Sequence, residues 1–150
     1  MNETHPFSKY LILWLPVFIW CSLIFYFSSL SLLPKIHEGL WDIIFKKLAH
    51  FSEYAVLALL LRRALAHSTA WLPEKVNLWA CGLAILYAVS DEIHQFLVPL
   101  RNAEVYDVMI DSFGAFCAIF VFNYWKKRSY SKREDGEEYS YSGKRSGKAR

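Results

Sequence analysis

Seven acidic and histidine side chains stand inside or at the edges of apolar stretches: His50, Glu53, Asp91, Glu92, His94, Asp107 and Asp111. Such groups move protons, ligate metals or grip polar head groups. Burying them is costly enough that each needs a partner or a task. Their spacing is helical. Lys47, His50 and Tyr54 follow i, i+3, i+7, with Glu53 at i+3 from His50; Asp91, His94 and Gln95 follow i, i+3, i+4; Asp107 and Asp111 follow i, i+4. Each set therefore lies along one stripe of a helix. An acid beside a histidine suits proton transfer. His50 with Glu53, and Asp91 with His94, are also carboxylate–imidazole pairs of the kind from which bundle metal sites are made. A divalent metal on His50, Glu53, Asp91 and His94 is thus one expectation. The other is an ion network in which Lys47 and Arg101 balance the acids, the default arrangement for polar residues within a membrane.

Membrane helices must position these residues. The chain has 150 residues, 55% of them hydrophobic and 17% aromatic, and the apolar residues gather in blocks with the charges between them. Residues 10–33 hold no charged side chain; as a helix they measure about 36 Å, enough to cross a hydrocarbon core of roughly 30 Å. A soluble core helix of that length needs a larger protein around it. The run is also longer than the apolar part of a cleavable signal peptide. Spans are expected at residues 10–33, 47–66, 76–97 and 103–125, the first closed by Pro34 and the third by Pro99. Trp14, Trp41, Trp71, Trp79 and Trp125 fall near their ends, as interfacial anchors do. Residues 37–45 read as a short interfacial helix or as an ordinary loop. Cys21, Cys81 and Cys117 lie in separate blocks with no CxxC pair, which argues against a disulfide scaffold or a zinc knuckle.

With both termini cytoplasmic, thirteen Lys and Arg residues lie inside and four (Lys35, Lys46, Lys47 and Arg101) outside, so the positive-inside bias favours an N-in, C-in topology. Residues 126–150 are rich in Ser, Tyr, Gly and Lys without apolar periodicity, and are expected to form a disordered cytoplasmic tail. Their basic charge reads as a flank resting on an anionic leaflet, with no nucleic-acid role. The expected fold is an all-α membrane protein: a four-transmembrane-helix bundle over residues 1–125, followed by that basic tail. Alternating helices bring the end of the first span, the start of the second, the end of the third and the start of the fourth to one face. Under N-in topology that face is external. Ser28, Ser29 and Ser31 reach it from the first span, and the polar stripes reach it from the other three. Gly114 and Ala118 continue the Asp107–Asp111 stripe inward, where small residues let a neighbouring helix approach. Glu92 is expected to point away from Asp91, towards the loop and Arg101.

Two segments carry a family resemblance. Lys47-Leu-Ala-His50-Phe51-Ser-Glu53-Tyr54 resembles the first motif of VanZ-like membrane proteins. Asp91-Glu92-Ile-His94-Gln95-Phe96-Leu-Val-Pro99-Leu-Arg101, followed by Asp107 and by Asp111-Ser-Phe-Gly114, resembles the second. The likeness covers about residues 20–122. Asp111 stands where such proteins often carry Asn, and Ala118 where a second glycine is common. The family is named for a role in resistance to the glycopeptide antibiotic teicoplanin. The resemblance therefore implies a multi-pass protein of the bacterial cytoplasmic (inner) membrane with a cell-envelope role, and does not imply a reaction. Three readings stay open. In the first, His50, Glu53, Asp91, His94, Asp107 and Asp111 form a site that binds, and as an enzyme would modify, an envelope lipid or lipid-linked glycan. Lys47, Tyr54, Glu92, Gln95 and Arg101 would bind it, with Lys47 and Arg101 on a phosphate or carboxylate. In the second, the same cluster binds an amphiphile such as the antibiotic's lipid tail, or helps assemble a partner, without catalysis. In the third, the chain is a small proton- or ion-coupled transporter acting as a homodimer.

Overall fold

Helix signals and breakers punctuate the chain plainly. The computed structural model describes residues 6–30, 39–99 and 104–146, and the described residues form four α-helices and no strand: α1 (Pro6–Ser28), α2 (Leu40–Ser68), α3 (Pro73–Leu97) and α4 (Val105–Ser146). α3 opens with Pro73 in its first turn behind an extended Leu72, where proline loses no helical hydrogen bond. It closes at an extended Val98 before Pro99, as chain preceding a proline prefers. Thr69 ends α2, its amide and hydroxyl both donating to the Leu65 carbonyl, at 3.0 and 2.8 Å. Pro16 sits inside α1, a position membrane helices tolerate.

Two boundaries differ from the sequence expectation. α2 starts at Leu40 instead of residue 47, so residues 40–45 are its first turns and not a separate interfacial helix. Nothing between Gly39 and Lys47 breaks a helix, and Gly39, with φ of 82°, supplies the left-handed corner before it. At the other end, α4 continues to Ser146, beyond the residue 125 at which the apolar sequence runs out. The chain divides after Ile119 into two units: the first holds α1, α2, α3 and the opening turns of α4, and the second is the remainder of α4.

The core of the first unit sits around α2. Tyr54, Leu57, Ala58, Leu61, Ala64 and Leu65 are all buried, and α2 packs against both α1 and α3. α3 meets it with a small-residue stripe, Ala80, Ala84 and Ala88, each at most 1% exposed. Alanine at every fourth position keeps one helix face low, so that a neighbouring backbone can lie close. The outer faces are the reverse of a soluble protein's. Leu11, Ile12, Phe18, Ile19 and Tyr26 on α1 are at least half exposed, as are Leu78, Leu86 and Ile93 on α3 and Phe113 and Phe116 on α4. An apolar surface this continuous belongs in lipid. Three helices are long and apolar enough to cross a membrane: Ser8–Ser28, Pro73–Leu97 and Val105–Lys132. α2 carries Lys46, Lys47, Glu53, Arg62 and Arg63 within its length. Of these Arg62 is buried, Lys47 and Glu53 are half-buried, and Lys46 and Arg63 are exposed. The exposed serines answer the same solvent: Ser22 and Ser52 donate to the Phe18 and Leu48 carbonyls of their own helices, at 2.8 and 2.7 Å.

Candidate polar site at one end of the bundle

Pair contacts fix the directions of the helices. Lys47 of α2 meets Asp107 of α4, His50 meets Asp111, and Phe51 meets Gly114. The two sets of numbers rise together, so α2 and α4 run parallel. Likewise Tyr87 of α3 donates to the Cys21 carbonyl at 2.7 Å, and His94 meets Ser29 at 3.0 Å, so α1 and α3 run parallel. The starts of α2 and α4 and the ends of α1 and α3 therefore share one end of the bundle, as alternation of four helices predicts. Trp20 adds a tie from α1 to α2, donating to the Glu53 carbonyl at 2.9 Å.

The α2–α4 seam depends on Gly114. A Cβ there would lie 3.0 Å from the Phe51 carbonyl carbon and 3.2 Å from its Cα. Only glycine lets the two backbones come this close. The seam's polar pairs lie on the turns that precede this contact. Lys47 Nζ bridges Glu104, at 2.9 Å, and Asp107. His50 Nδ1 lies 3.3 Å from Asp111 Oδ1, close but not aligned for a hydrogen bond. The Phe51 and Phe113 rings close the seam beside them with centroids 6.0 Å apart.

α3 contributes on three faces. Asp91, 5% exposed, takes a 2.9 Å hydrogen bond from the Gln95 amide on Oδ2. Its Oδ1 is buried without a hydrogen-bond partner. Glu92 is buried as well, and its Oε1 accepts the backbone N–H of Glu104 at the entrance to α4. A carboxylate at that position also meets the positive end of the helix dipole. His94 turns to α1, stacked on Phe25 with centroids 4.4 Å apart. Ser29 Oγ donates to the Phe25 carbonyl at 2.7 Å, which uses its one proton. With the Ser29 hydroxyl proton given to the Phe25 carbonyl, the 3.0 Å contact between Ser29 and His94 Nε2 has the imidazole as donor.

Tyr54 stands between these groups. It is 0% exposed and its hydroxyl has no hydrogen-bond partner. Asp91, Asp111, Tyr87 and Glu53 are its electrostatic neighbours. Tyr87, 6.3 Å away between ring centroids, already gives its proton to Cys21. Four buried polar atoms of this region, His50 Nδ1, Tyr54 Oη, Asp91 Oδ1 and Asp111 Oδ1, thus lack a hydrogen-bond partner, and they come from α2, α3 and α4.

Among the described residues, no three His, Cys, Asp or Glu side chains are grouped as a metal ion requires. Of the residues expected to ligate one, His50 faces Asp111 on α4 and His94 faces Ser29 on α1. Arg101 lies outside the described residues. Sequence spacing puts Asp91, His94 and Gln95 on one stripe and Glu92 apart. The structure joins Asp91 to Gln95, sends His94 to α1, and brings Glu92 to the start of α4. Each of these faces of α3 has a different neighbour, so a one-residue step changes partners.

A family model described as VanZ/LLP1 matches residues 7–126, from the first turns of α1 to the end of the apolar part of α4. The chain belongs to the VanZ/LLP1 family. No curated protein and no solved structure matches it. The matched VanZ region contains every residue of the polar end, and with the apolar helices it marks the chain as a membrane protein. Glu104, the second carboxylate on Lys47, was not singled out by spacing. It precedes α4 and belongs to none of the stripes, and the turn beginning with Asp107 N–H donating to the Glu104 carbonyl at 2.7 Å is what folds it back.

Proposed function

We propose that this VanZ-family protein binds the polar head of a cell-envelope amphiphile at the outer leaflet of the bacterial inner membrane. The bound species is an envelope lipid, a lipid-linked glycan or a lipophilic glycopeptide. In this reading α2 also crosses the membrane, both termini are cytoplasmic, and the basic end of the chain rests on the inner leaflet. The observation that carries it is the buried Tyr54 hydroxyl and Asp91 Oδ1, which have no hydrogen-bond partner, beside the buried Asp111 Oδ1, which lies 3.3 Å from His50 Nδ1 without a hydrogen bond. A bundle needing only to pack would fill those positions with apolar side chains, because each buried polar atom without a partner costs about 1–3 kcal/mol. Their position at one end of a lipid-facing bundle supports a ligand that is apolar in one part and polar in the other.

The test is binding by the full chain in detergent. Short-chain lipids with different heads are titrated into wild-type protein and into Asp111→Asn. Saturable binding that weakens in the variant is expected. No saturable binding of any amphiphile would end the proposal.

A further inference from the structure

Lys47 is the described cation best placed to hold an anionic head group, and it is already occupied. It sits between Glu104 and Asp107, so that trio keeps a net negative charge. Among the described residues, six carboxylates, those of Glu53, Asp91, Glu92, Glu104, Asp107 and Asp111, share this end of the bundle with Lys46, Lys47 and His50. A phosphate or carboxylate would meet repulsion here, and in a medium of low dielectric constant that repulsion is strong. The hydrogen-bond pattern points the same way. Asp91 Oδ1 has no hydrogen-bond donor, Asp111 Oδ1 has His50 Nδ1 at 3.3 Å without a hydrogen bond, and the Tyr54 hydroxyl, wholly buried, has both carboxylates as electrostatic neighbours. That is three oxygen atoms on three helices. Among the described residues the acids do not gather tightly enough for a metal ion. A primary ammonium has three donors, needs acceptors near 2.8–3.0 Å rather than the shorter metal–oxygen distances, and carries the missing charge.

We propose that the head group recognised by this site carries a primary ammonium, bound by Asp91, Asp111 and Tyr54. The inference rests on the amphiphile-binding reading and adds the charge and chemical class of the head. The amine is carried by an ethanolamine-type lipid or by an amino group on a soluble molecule. Either source presents the same three donors.

The experiment titrates the full chain in detergent with dihexanoyl phosphatidylethanolamine, its N-acetylated form, dihexanoyl phosphatidylglycerol and free ethanolamine, followed by calorimetry. The ethanolamine lipid is expected to bind at least about tenfold more tightly than the N-acetylated lipid and phosphatidylglycerol, as loss of a charge-assisted contact implies. Asp91→Asn and Asp111→Asn are each expected to remove most of that preference, and Tyr54→Phe part of it. Free ethanolamine binding as tightly as the lipid would assign the site to soluble amines and keep the ammonium. Equal binding of the acetylated and free-amine lipids would overturn the ammonium while leaving amphiphile binding intact. No binding of any of the four would overturn both. The wild-type comparison among ligands does not depend on how well the variants fold.

Discussion

Gly114 of α4 lies directly against the backbone of Phe51 on α2, so close that a Cβ would sit 3.0 Å from the Phe51 carbonyl carbon. The pair His50–Asp111 lies within one turn of this contact, and Lys47–Asp107 one to two turns back along the same seam. Replacing Gly114 with alanine therefore wedges two backbones apart. Gly114→Ala is expected to destabilise the protein by about 1–3 kcal/mol, read as a lower melting temperature in detergent. Gly82, exposed on α3 with nothing within 4 Å of an added Cβ, is the control. Gly82→Ala is expected to be neutral or stabilising by up to about 1 kcal/mol, since alanine is the better helix former. Equal melting temperatures for the two variants would contradict the close seam.

The bridge made by Lys47 is asymmetric. Glu104 is half exposed, whereas Asp107 is 10% exposed. Removing the exposed partner should matter little, within about 0.5 kcal/mol for Glu104→Gln. Lys47→Met strands the buried Asp107 carboxylate beside Asp111 and Glu92, and is expected to cost about 3 kcal/mol or more. The double variant Lys47→Met/Asp107→Leu should recover a large part of that loss. Thermal unfolding of the wild type, Glu104→Gln, Lys47→Met, Asp107→Leu and the double variant checks the order, and additive losses in the double variant would show that the ion pair is not coupled.

His94 has a defined proton position. Because Ser29 donates to the Phe25 carbonyl, Nε2 of His94 is the donor between them. Nitrogen-15 spectra of histidine-labelled protein should show the Nε2–H tautomer for neutral His94, and Ser29→Ala should broaden that preference into a mixture. An Nδ1–H signal for neutral His94 in the wild type would contradict the assignment.

Orientation in the membrane is open to chemical labelling. In a background with Cys21, Cys81 and Cys117 replaced by alanine, Lys35→Cys is expected to react with an impermeant maleimide on intact cells. Lys132→Cys is expected to react only after permeabilisation, as N-in, C-in topology requires. The reverse pattern would put the polar end in the cytoplasm.

The helices and the shared polar end were legible because the apolar blocks are long and the polar residues cluster at their ends. Gly114 was legible too, as a small residue on the inward continuation of the Asp107–Asp111 stripe. On α3 the Asp91–Gln95 pair and the turn of Glu92 towards the loop were legible as well, but the contact of His94 with α1 was not, because one-dimensional spacing does not say which helix lies on which side. Glu104 escaped because its contact with Lys47 depends on a turn before α4 and not on helical periodicity. The start of α2 was misplaced because its first turns are apolar yet follow a glycine. The alanine stripe of α3 was not singled out, because alanine alone does not distinguish a packed face from a merely helical one.

The central position of α2 also bears on how the protein is made. Its flanking helices meet the length and hydropathy that lipid accepts, and α2, with its lysines, arginines and glutamate, does not. During synthesis it leaves the ribosome before α3 and α4 exist to shield those charges. On the proposed four-span topology its entry into the bilayer is then a cooperative event in which later segments retain an earlier one. On that topology a nascent chain ending at Ser68 would hold α1 in the membrane and leave α2 waiting at the surface.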